Sequence, residues 1–277
     1  MEDLQILKDL RKNCLEASFC GHDGNLQSCF SSLELIWACY DRLMNWSVEK
    51  ALDENRDYFV CSKGQSTLAL FVVLVQKGFL KYDELTHFAK FDSRISMQAD
   101  RTKFNGGIEI SAGSLGHGFP EAVGIALSKK IRKLDGKVFV LVGDGELNEG
   151  TMWEGMAFAF AHRLDNLIML VDNNKSLNKL LDFGSFENKI KAFGFEVCNA
   201  DGHNINDIIR AYDSLIDSKL PKAIIADTYR GYGSKTLMTL REWFHKSPKD
   251  QTELDSLKKE IDTFEPSQIN EYRSELV

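Results

Sequence analysis

The chain has 277 residues, of which 43% are hydrophobic and 27% charged, and its formal net charge at pH 7 is −7. This balance is typical of a soluble globular protein, and the net negative charge gives no electrostatic footprint for nucleic acid. No stretch is long and apolar enough to cross a membrane, and the amino terminus lacks the apolar core of a signal peptide. We therefore expect a cytoplasmic protein that binds neither nucleic acid nor membrane.

In chain order, the sequence predicts helices mixed with short β-rich runs. The apolar spacing predicts helices over residues 3–19, 31–46 and 67–77, with a polar turn at 21–25 and a strand at 57–61. Pro120 fits the first turn of a further helix. Beyond the centre of the chain, we expect strands at 195–198 and 222–227, a helix at 204–218, and a charged surface helix with a solvated face at 251–265.

The centre of the chain reads as a strand, a polar turn, a helix and a second strand. The strands are the apolar runs 138–142 and 167–171, and Gly143-Asp144-Gly145-Glu146 opens the helix between them. The right-handed crossover of such a unit makes its strands parallel, so both end at the same edge of the sheet. We expect Asp144 and Asn174, about thirty residues apart, to meet there.

Asp144 and Asn174 offer the oxygen ligands that Mg²⁺ prefers, and the flanking glycines allow a phosphate to approach the backbone closely. The following helix N-terminus adds unpaired N–H groups. Gly-Asp-Gly alone is equally typical of an ordinary turn at a strand end. The paired strands and the downstream Asn favour a site for a diphosphate and a metal.

The stretches GDGELNEGTMWE and LDNLIMLVDNNK resemble the thiamine diphosphate motif and, more closely, the amino-terminal half of transketolase. The resemblance covers roughly residues 15 to 250. It implies thiamine diphosphate and Mg²⁺ as cofactors. The implied metal ligands are Asp144, Asn174 and the backbone carbonyl of Ser176, and the implied cofactor-binding residues include Gln65, Gly143, Gly145, Glu146 and Asn174.

The segment GIEISAGSLGHGFPEAVGIALSKK resembles the part of transketolases that holds the aminopyrimidine ring. The resemblance implies that Gly113 and Leu115 contact the pyrimidine side of the cofactor. His117 in the same segment is a candidate catalytic residue.

Several family histidines are replaced in this chain. The family's Lys-Gly-His turn ends here in Gln65, and its Gly-His-Pro reads Met97-Gln98-Ala99. A glutamine still forms hydrogen bonds, but it carries neither a proton nor a charge.

Two further histidine positions stay open. Near the carboxyl end, Phe244 stands where the family has a histidine, and His245 follows it. Either the loop is shifted by one residue and His245 takes the role of that histidine, or the role is absent from this chain. At the amino end the position falls on Asn25 without a gap or on His22 with a small insertion, and His22 is equally well explained as a solvated turn residue. We take His22, His117 and His245 as the catalytic candidates. His203 is most simply a turn or capping residue.

In the family, the glutamate that activates the cofactor comes from a separate pyrimidine-binding domain, and nothing after Pro248 resembles it. Like split transketolases, the chain is expected to need a C-terminal pyrimidine-binding partner subunit, in a heterotetramer. The implied activity is transfer of a two-carbon ketol or related acyl unit to an aldehyde, with an unusual sugar or oxoacid donor. Alternatives are a subunit of a 2-oxoacid-decarboxylating acyloin-type synthase and a non-catalytic scaffold. A dinucleotide binder is disfavoured because Gly-x-Gly-x-x-Gly is absent between its first strand and helix.

The fold class that follows is α/β, a doubly wound, mainly parallel sheet with helices on both faces and its ligand edge at the carboxyl ends of the strands. We expect one thiamine-diphosphate-binding domain over residues 1–277, with 249–277 as a helical C-terminal extension.

Overall fold

A five-stranded parallel sheet forms the centre of the computed structural model, which describes residues 2–176, 184–272 and 276. The strand order is β1-β2-β3-β5-β4, and every neighbouring pair is parallel. The parallel pairing predicted for the central unit is therefore confirmed. The strands are β1 Tyr58–Cys61, β2 Val138–Gly143, β3 Leu167–Asn173, β4 Glu196–Asp201 and β5 Lys222–Asp227.

Helices cover both faces of the sheet, as the doubly wound fold class predicts. All of β2 is buried, and its side chains alternate between two apolar clusters. Phe139 and Leu141 face the cluster formed with α1, α2, α3, α7 and α9, whereas Val138, Val140 and Val142 face the one formed with α4, α5 and α6. The helices are α1 Glu2–Gly21, α2 Leu26–Ala38, α3 Thr67–Gln76, α4 Gly118–Arg132, α5 Gly150–Ala161, α6 Phe186–Ala192, α7 Ile205–Leu215, α8 Lys235–Thr239, α9 Gln251–Thr263 and α10 Ile269–Tyr272.

Element boundaries differ from the prediction where capping decides them. The helix predicted at 31–46 begins at Leu26, because the Asn25 side chain accepts a hydrogen bond from the Ser28 N–H (3.2 Å) and caps it. It ends at Ala38 and continues as a π-helical turn, Cys39–Leu43. The short helices α6, α8 and α10 were not predicted. Among the described residues, no helix has the length and apolarity needed to span a membrane.

The helix α9 has the solvated, charged face that the sequence predicts, and its other face is buried. Leu254, Leu257 and Ile261 recur along one side and are buried in the same apolar cluster as residues of α1. Charged residues at the edges of this contact pair across it: Lys258 Nζ lies 2.5 Å from Glu16 Oε1. The predicted charged surface helix is therefore present, and its apolar stripe determines which side packs against the core.

Candidate active site

The carboxyl ends of β2 and β3 bring the three predicted metal-binding residues together. Gly143 is in register with Asp172, so Asp144 and Asn174 follow their strands at the same edge of the sheet. Ser176 joins them, because its hydroxyl donates to Asp144 Oδ1 (2.8 Å) and its backbone N–H donates to Asn174 Oδ1 (3.1 Å). Asp144 and Asn174 are only 1% and 7% exposed. The predicted meeting of a carboxylate and an amide is therefore present.

These three residues line a cavity of about 380 Å³. It opens at the edge of the sheet where the switch-point rule places ligands of α/β folds. Its lining also contains most of the predicted cofactor-binding residues. The lining residues are Ser28, Lys63, Gln65, Leu115, Gly143, Asp144, Gly145, Glu146, Asn174, Ser176, Arg230 and Phe244.

Glu146 holds two glycine-containing loops of this site together. Its carboxylate accepts hydrogen bonds from the Ser62 hydroxyl (2.5 Å), the Gly116 N–H (3.0 Å) and the Gly143 N–H (3.3 Å). Burial raises the pKa of the Glu146 carboxyl, and the three hydrogen bonds oppose that rise. Glu146 thus fixes the loop that includes Gly113 and Leu115 relative to the loop that includes Asp144.

A buried ion pair lies beneath the cavity. Lys63 Nζ is 2.5 Å from Asp172 Oδ2, and the hydroxyls of Ser31 and Ser32 donate to the same oxygen at 2.6 Å each. The Thr228 hydroxyl donates to the other carboxylate oxygen. Burial disfavours the ionised carboxyl, but the Lys63 charge and these hydrogen bonds outweigh it and hold the pKa of Asp172 below its usual range. The carboxylate is therefore charged at neutral pH and fixes the position of Lys63.

The three candidate catalytic histidines are exposed and do not line the cavity. His22 and His245 both have left-handed backbone conformations, with φ of 53° and 54°, in turns that direct them to solvent. His117 precedes α4 and its Nδ1 lies 3.1 Å from the Leu115 carbonyl oxygen. Gly113, in the same loop, is also exposed. The structure does not bring these histidines into the cavity of this chain, and their catalytic role stays a prediction.

The sequence left two histidine positions undecided, Asn25 or His22 and Phe244 or His245. In each pair, the residue that lies nearer the cavity is not the histidine. Asn25 is 1% exposed and is hydrogen-bonded to Ser28, which lines the cavity. Phe244 lines the cavity although it is 54% exposed, and the Arg230 guanidinium lies 5.2 Å from the centre of its ring. Local geometry explains this: Asn25 is required as the helix cap, and Phe244 follows the buried Trp243.

Arg230 is the site residue that the sequence analysis missed. It follows β5 at the same sheet edge as Asp144, and its Nη2 donates to Gln27 Oε1 (2.9 Å) while its Nε is buried without a hydrogen-bond partner. Burial lowers the pKa of the guanidinium, against the attraction of Asp144 and Asp172, but an arginine is still a cation at neutral pH. The sequence feature that could have identified Arg230 is a basic residue shortly after the last predicted strand.

The oxygen atoms at this edge of the sheet suit a hard cation that binds both the protein and an anion. The described residues contain no group of three or more His, Cys, Asp or Glu side chains able to hold a metal. Asp144, Asn174 and a backbone carbonyl would leave several positions of a Mg²⁺ octahedron to phosphate oxygens and water, which is how proteins commonly hold this ion. The unpaired Nε of Arg230 offers a hydrogen bond to the same anion.

Comparisons with known proteins point to a domain that binds thiamine diphosphate. Residues 4–277 match the family described as "Transketolase, thiamine diphosphate binding domain". The chain is 33% identical over 240 residues to an apulose-4-phosphate transketolase subunit of Actinobacillus succinogenes, covering 84% of this chain and 86% of that protein. It is 31% identical to human transketolase over 266 residues, which are 91% of this chain but 42% of the human one.

A solved transketolase structure has the same fold as this chain over part of its length. The transketolase of Campylobacter jejuni superposes with a TM-score of 0.85 and 25% identity, covering 95% of this chain and 43% of that one. The chain therefore spans less than half of the length of these longer transketolases. As the sequence motifs predicted, the chain belongs to the transketolase family and corresponds to its thiamine-diphosphate-binding domain.

Proposed function

We propose that this chain is the diphosphate-binding subunit of a two-chain transketolase-like enzyme that transfers a two-carbon ketol unit to an aldehyde. The observation that carries this proposal is the set Asp144, Asn174 and Ser176, joined by hydrogen bonds at the wall of the cavity. A subunit role is supported by relatives that are themselves named as subunits. The proteins named as apulose-4-phosphate transketolase subunits in Actinobacillus succinogenes and Phocaeicola vulgatus are matched over 86% and 89% of their own lengths.

The cofactors of this enzyme are thiamine diphosphate and Mg²⁺. When bound, thiamine diphosphate supplies the reactive carbon and the electron sink that let a ketol carbanion be transferred. Asp144, Asn174 and the Ser176 carbonyl would hold Mg²⁺, and the backbone of Gly143 and Gly145 would face the diphosphate. The Arg230 guanidinium, whose Nε is buried in the cavity wall without a partner, would donate a hydrogen bond to the diphosphate and neutralise part of its charge.

The chain's own residues bind and orient the cofactor, and they do not carry out the whole reaction. Glu146 holds the Gly113–Leu115 loop, which contacts the pyrimidine side, at a fixed distance from the diphosphate loop. His117 and His245 are exposed beside Leu115 and Phe244 of the cavity wall, where they can face a partner. The partner is a pyrimidine-binding subunit that supplies the activating glutamate, and the assembly is a heterotetramer in the cytoplasm.

Calorimetry with the reconstituted two-chain protein tests this proposal. Thiamine diphosphate should bind in the presence of Mg²⁺, and chelation of the metal should abolish binding. Asp144→Ala should weaken binding by at least about a hundredfold because it removes the single carboxylate ligand. Asp213→Ala, an exposed position on α7, is the matched control. Unchanged binding by Asp144→Ala would refute the metal assignment, and no binding by the wild type would favour a non-catalytic scaffold.

A further inference from the structure

A second cavity lies near the end of β4, the strand at the edge of the sheet farthest from β1. It has a volume of about 560 Å³ and is bounded by the starts of α1 and α7, the segment after β5 and residues 266–270. None of the described residues lines both this cavity and the cofactor cavity. Its volume is in the range of roughly 300–1,000 Å³ that is usual for small-molecule sites.

The charges around the second cavity disfavour an anionic ligand. The described residues that line it include two carboxylates, Asp3 and Asp201, and no lysine or arginine. The cofactor cavity, by contrast, contains Lys63 and Arg230. A phosphorylated ligand would therefore meet negative charge in the second cavity without a cation to offset it. This difference separates the second cavity from any site for diphosphates or sugar phosphates.

The Tyr232 hydroxyl is a polar group that the second cavity leaves without a partner. The Tyr232 side chain is only 8% exposed, and its hydroxyl has no hydrogen-bond partner among the described residues. Its ring is fixed, because it stacks on His203 with 3.5 Å between ring centres and meets the edge of Phe264 at 5.1 Å. Since a tyrosine hydroxyl in such an enclosed position usually has a partner, this one is available to a ligand.

The rest of the lining combines neutral polar groups with apolar surface. The side-chain amides of Asn206 and Asn270 have no partner within the described part of the chain, and Leu7 and Ile205 are 6% and 8% exposed. Amides and tyrosine hydroxyls both donate and accept hydrogen bonds, so they pair with ligand hydroxyls in either direction. A ring compound with several hydroxyl groups matches this lining, because it has apolar C–H faces and polar edges.

The wall of the second cavity continues directly into the wall of the cofactor cavity. Tyr229 lines the second cavity, and the next residue, Arg230, lines the cofactor cavity. The Tyr229 N–H donates to His203 Nε2 (2.9 Å), and His203 also lines the second cavity. A ligand that packs against Tyr229 and His203 therefore restricts the backbone that positions Arg230. Two ligands that favour the same arrangement of one segment strengthen each other's binding.

We propose that this cavity is a second ligand site for an uncharged ring compound with several hydroxyl groups, and that its occupancy strengthens thiamine diphosphate binding. The site itself is independent of the proposed function, and only its coupling to the cofactor rests on that function. Two sources share this ligand chemistry: a sugar ring without phosphate and the ribose of a nucleoside.

Calorimetry of the reconstituted two-chain protein tests the site with one probe for each source, methyl β-D-glucopyranoside and adenosine. Neither probe has a free carbonyl group, so neither can donate or accept a ketol unit. At least one of them should bind. Its phosphorylated form, methyl β-D-glucopyranoside 6-phosphate or adenosine 5′-monophosphate, should bind at least about tenfold more weakly because of the carboxylates.

Tyr232→Phe is the variant that isolates the unpaired hydroxyl. It should weaken binding of the neutral probe by about fivefold to tenfold, because one hydrogen bond is lost while the ring still stacks on His203. It should leave the free energy of unfolding and the affinity for thiamine diphosphate without the probe unchanged. Tyr58→Phe, at the start of β1 and in the wall of a different cavity, is the matched control.

The coupling is measured by repeating the thiamine diphosphate titration with the neutral probe at saturation. The probe should tighten cofactor binding by about fivefold or more in the wild type, and by less in Tyr232→Phe at the same probe concentration.

The outcomes distinguish the ligand site, its coupling and the proposed function. No binding of either neutral probe, equal or tighter binding of the phosphorylated form, or equal probe binding by the wild type and Tyr232→Phe would overturn the ligand site. Probe binding without a change in cofactor affinity would overturn the coupling alone. Absence of thiamine diphosphate binding by the wild type would overturn the proposed function and the coupling, whereas probe binding would still decide the ligand site.

Discussion

At the scale of single residues, Asp172 balances the charge of Lys63 beneath the cavity. It is fully buried and receives hydrogen bonds from two serines and a threonine as well as the Lys63 ion pair. A buried ion pair contributes little net stability compared with apolar groups of the same size, but removing one partner leaves an uncompensated charge. The pair therefore works by fixing Lys63 under the glycine turn at Gly143, whose neighbour Asp144 is the proposed metal ligand.

Asp172→Asn should reduce the free energy of unfolding by about 3–5 kcal/mol, because Lys63 is left buried and unpaired. The double variant Lys63→Met with Asp172→Asn should recover part of this loss. Urea titration monitored by circular dichroism measures both values, and Asp213→Asn is the surface control. Equal stabilities of the single and double variants would show that the charge of Lys63 is not the cause.

The same carboxylate predicts a pH dependence of stability. Its pKa in the folded chain lies below the ordinary value of 3.8, so its contribution is fully present above that pH and is lost as the pH falls through the folded-state pKa. Between about pH 5 and 2, the wild type should therefore lose stability more steeply than the Lys63→Met, Asp172→Asn variant. Parallel curves for the two proteins would contradict this assignment.

At the scale of elements, two glycines of the α4 region should respond to substitution in opposite ways. Gly116 has φ +77°, and a Cβ there would lie 2.5 Å from the Glu149 side chain, whereas Gly124 on α4 has nothing within 4 Å. Gly116→Ala should displace the Gly113–Leu115 loop and weaken thiamine diphosphate binding. Gly124→Ala should stabilise α4 by about 0.5–1 kcal/mol and leave binding unchanged. Calorimetry and thermal unfolding measure both, and equal binding by the two variants would contradict the loop's role.

His203 connects α2, and through Glu34 also α1, to the segment that contains Arg230. Its Nδ1 lies 3.2 Å from Glu34 Oε2 of α2, and its Nε2 accepts the Tyr229 N–H at 2.9 Å. Arg11 of α1 donates to the other Glu34 oxygen at 2.5 Å. The sequence indicated a turn or capping residue here, and the structure adds that the imidazole fixes the backbone next to Arg230.

His203→Phe keeps an aromatic ring on Tyr232, which stacks on His203 at 3.5 Å, but removes both hydrogen bonds. It should lower the free energy of unfolding by about 1–3 kcal/mol, because Glu34 and the Tyr229 N–H lose a buried partner. It should also weaken thiamine diphosphate binding severalfold through Arg230. The exposed His87→Phe serves as the control. Reduced stability with unchanged cofactor affinity would limit His203 to a structural role.

At the scale of the whole molecule, periodicity and motif spacing predicted the sheet, the parallel central unit and the Asp144 and Asn174 pair. These features depend on local patterns that a sequence displays directly. The positions of His22 and His245 depend on turns with left-handed residues, and the helix start at Leu26 depends on the Asn25 cap, which apolar spacing does not reveal. The role of Arg230 depends on which buried atoms lack a partner, and only three-dimensional packing determines that.

The chain on its own should not transfer ketol units. It matches 42% of human transketolase, and the proposed enzyme obtains its activating glutamate from a pyrimidine-binding partner. At a fixed concentration of this chain, added partner should raise the activity until it saturates at one partner per chain. Activity titration and analytical ultracentrifugation measure the stoichiometry, with Asp144→Ala as the variant that should assemble but remain inactive. Full activity of the isolated chain would contradict the two-chain enzyme, because the chain would then have to supply the activating carboxylate from its own residues.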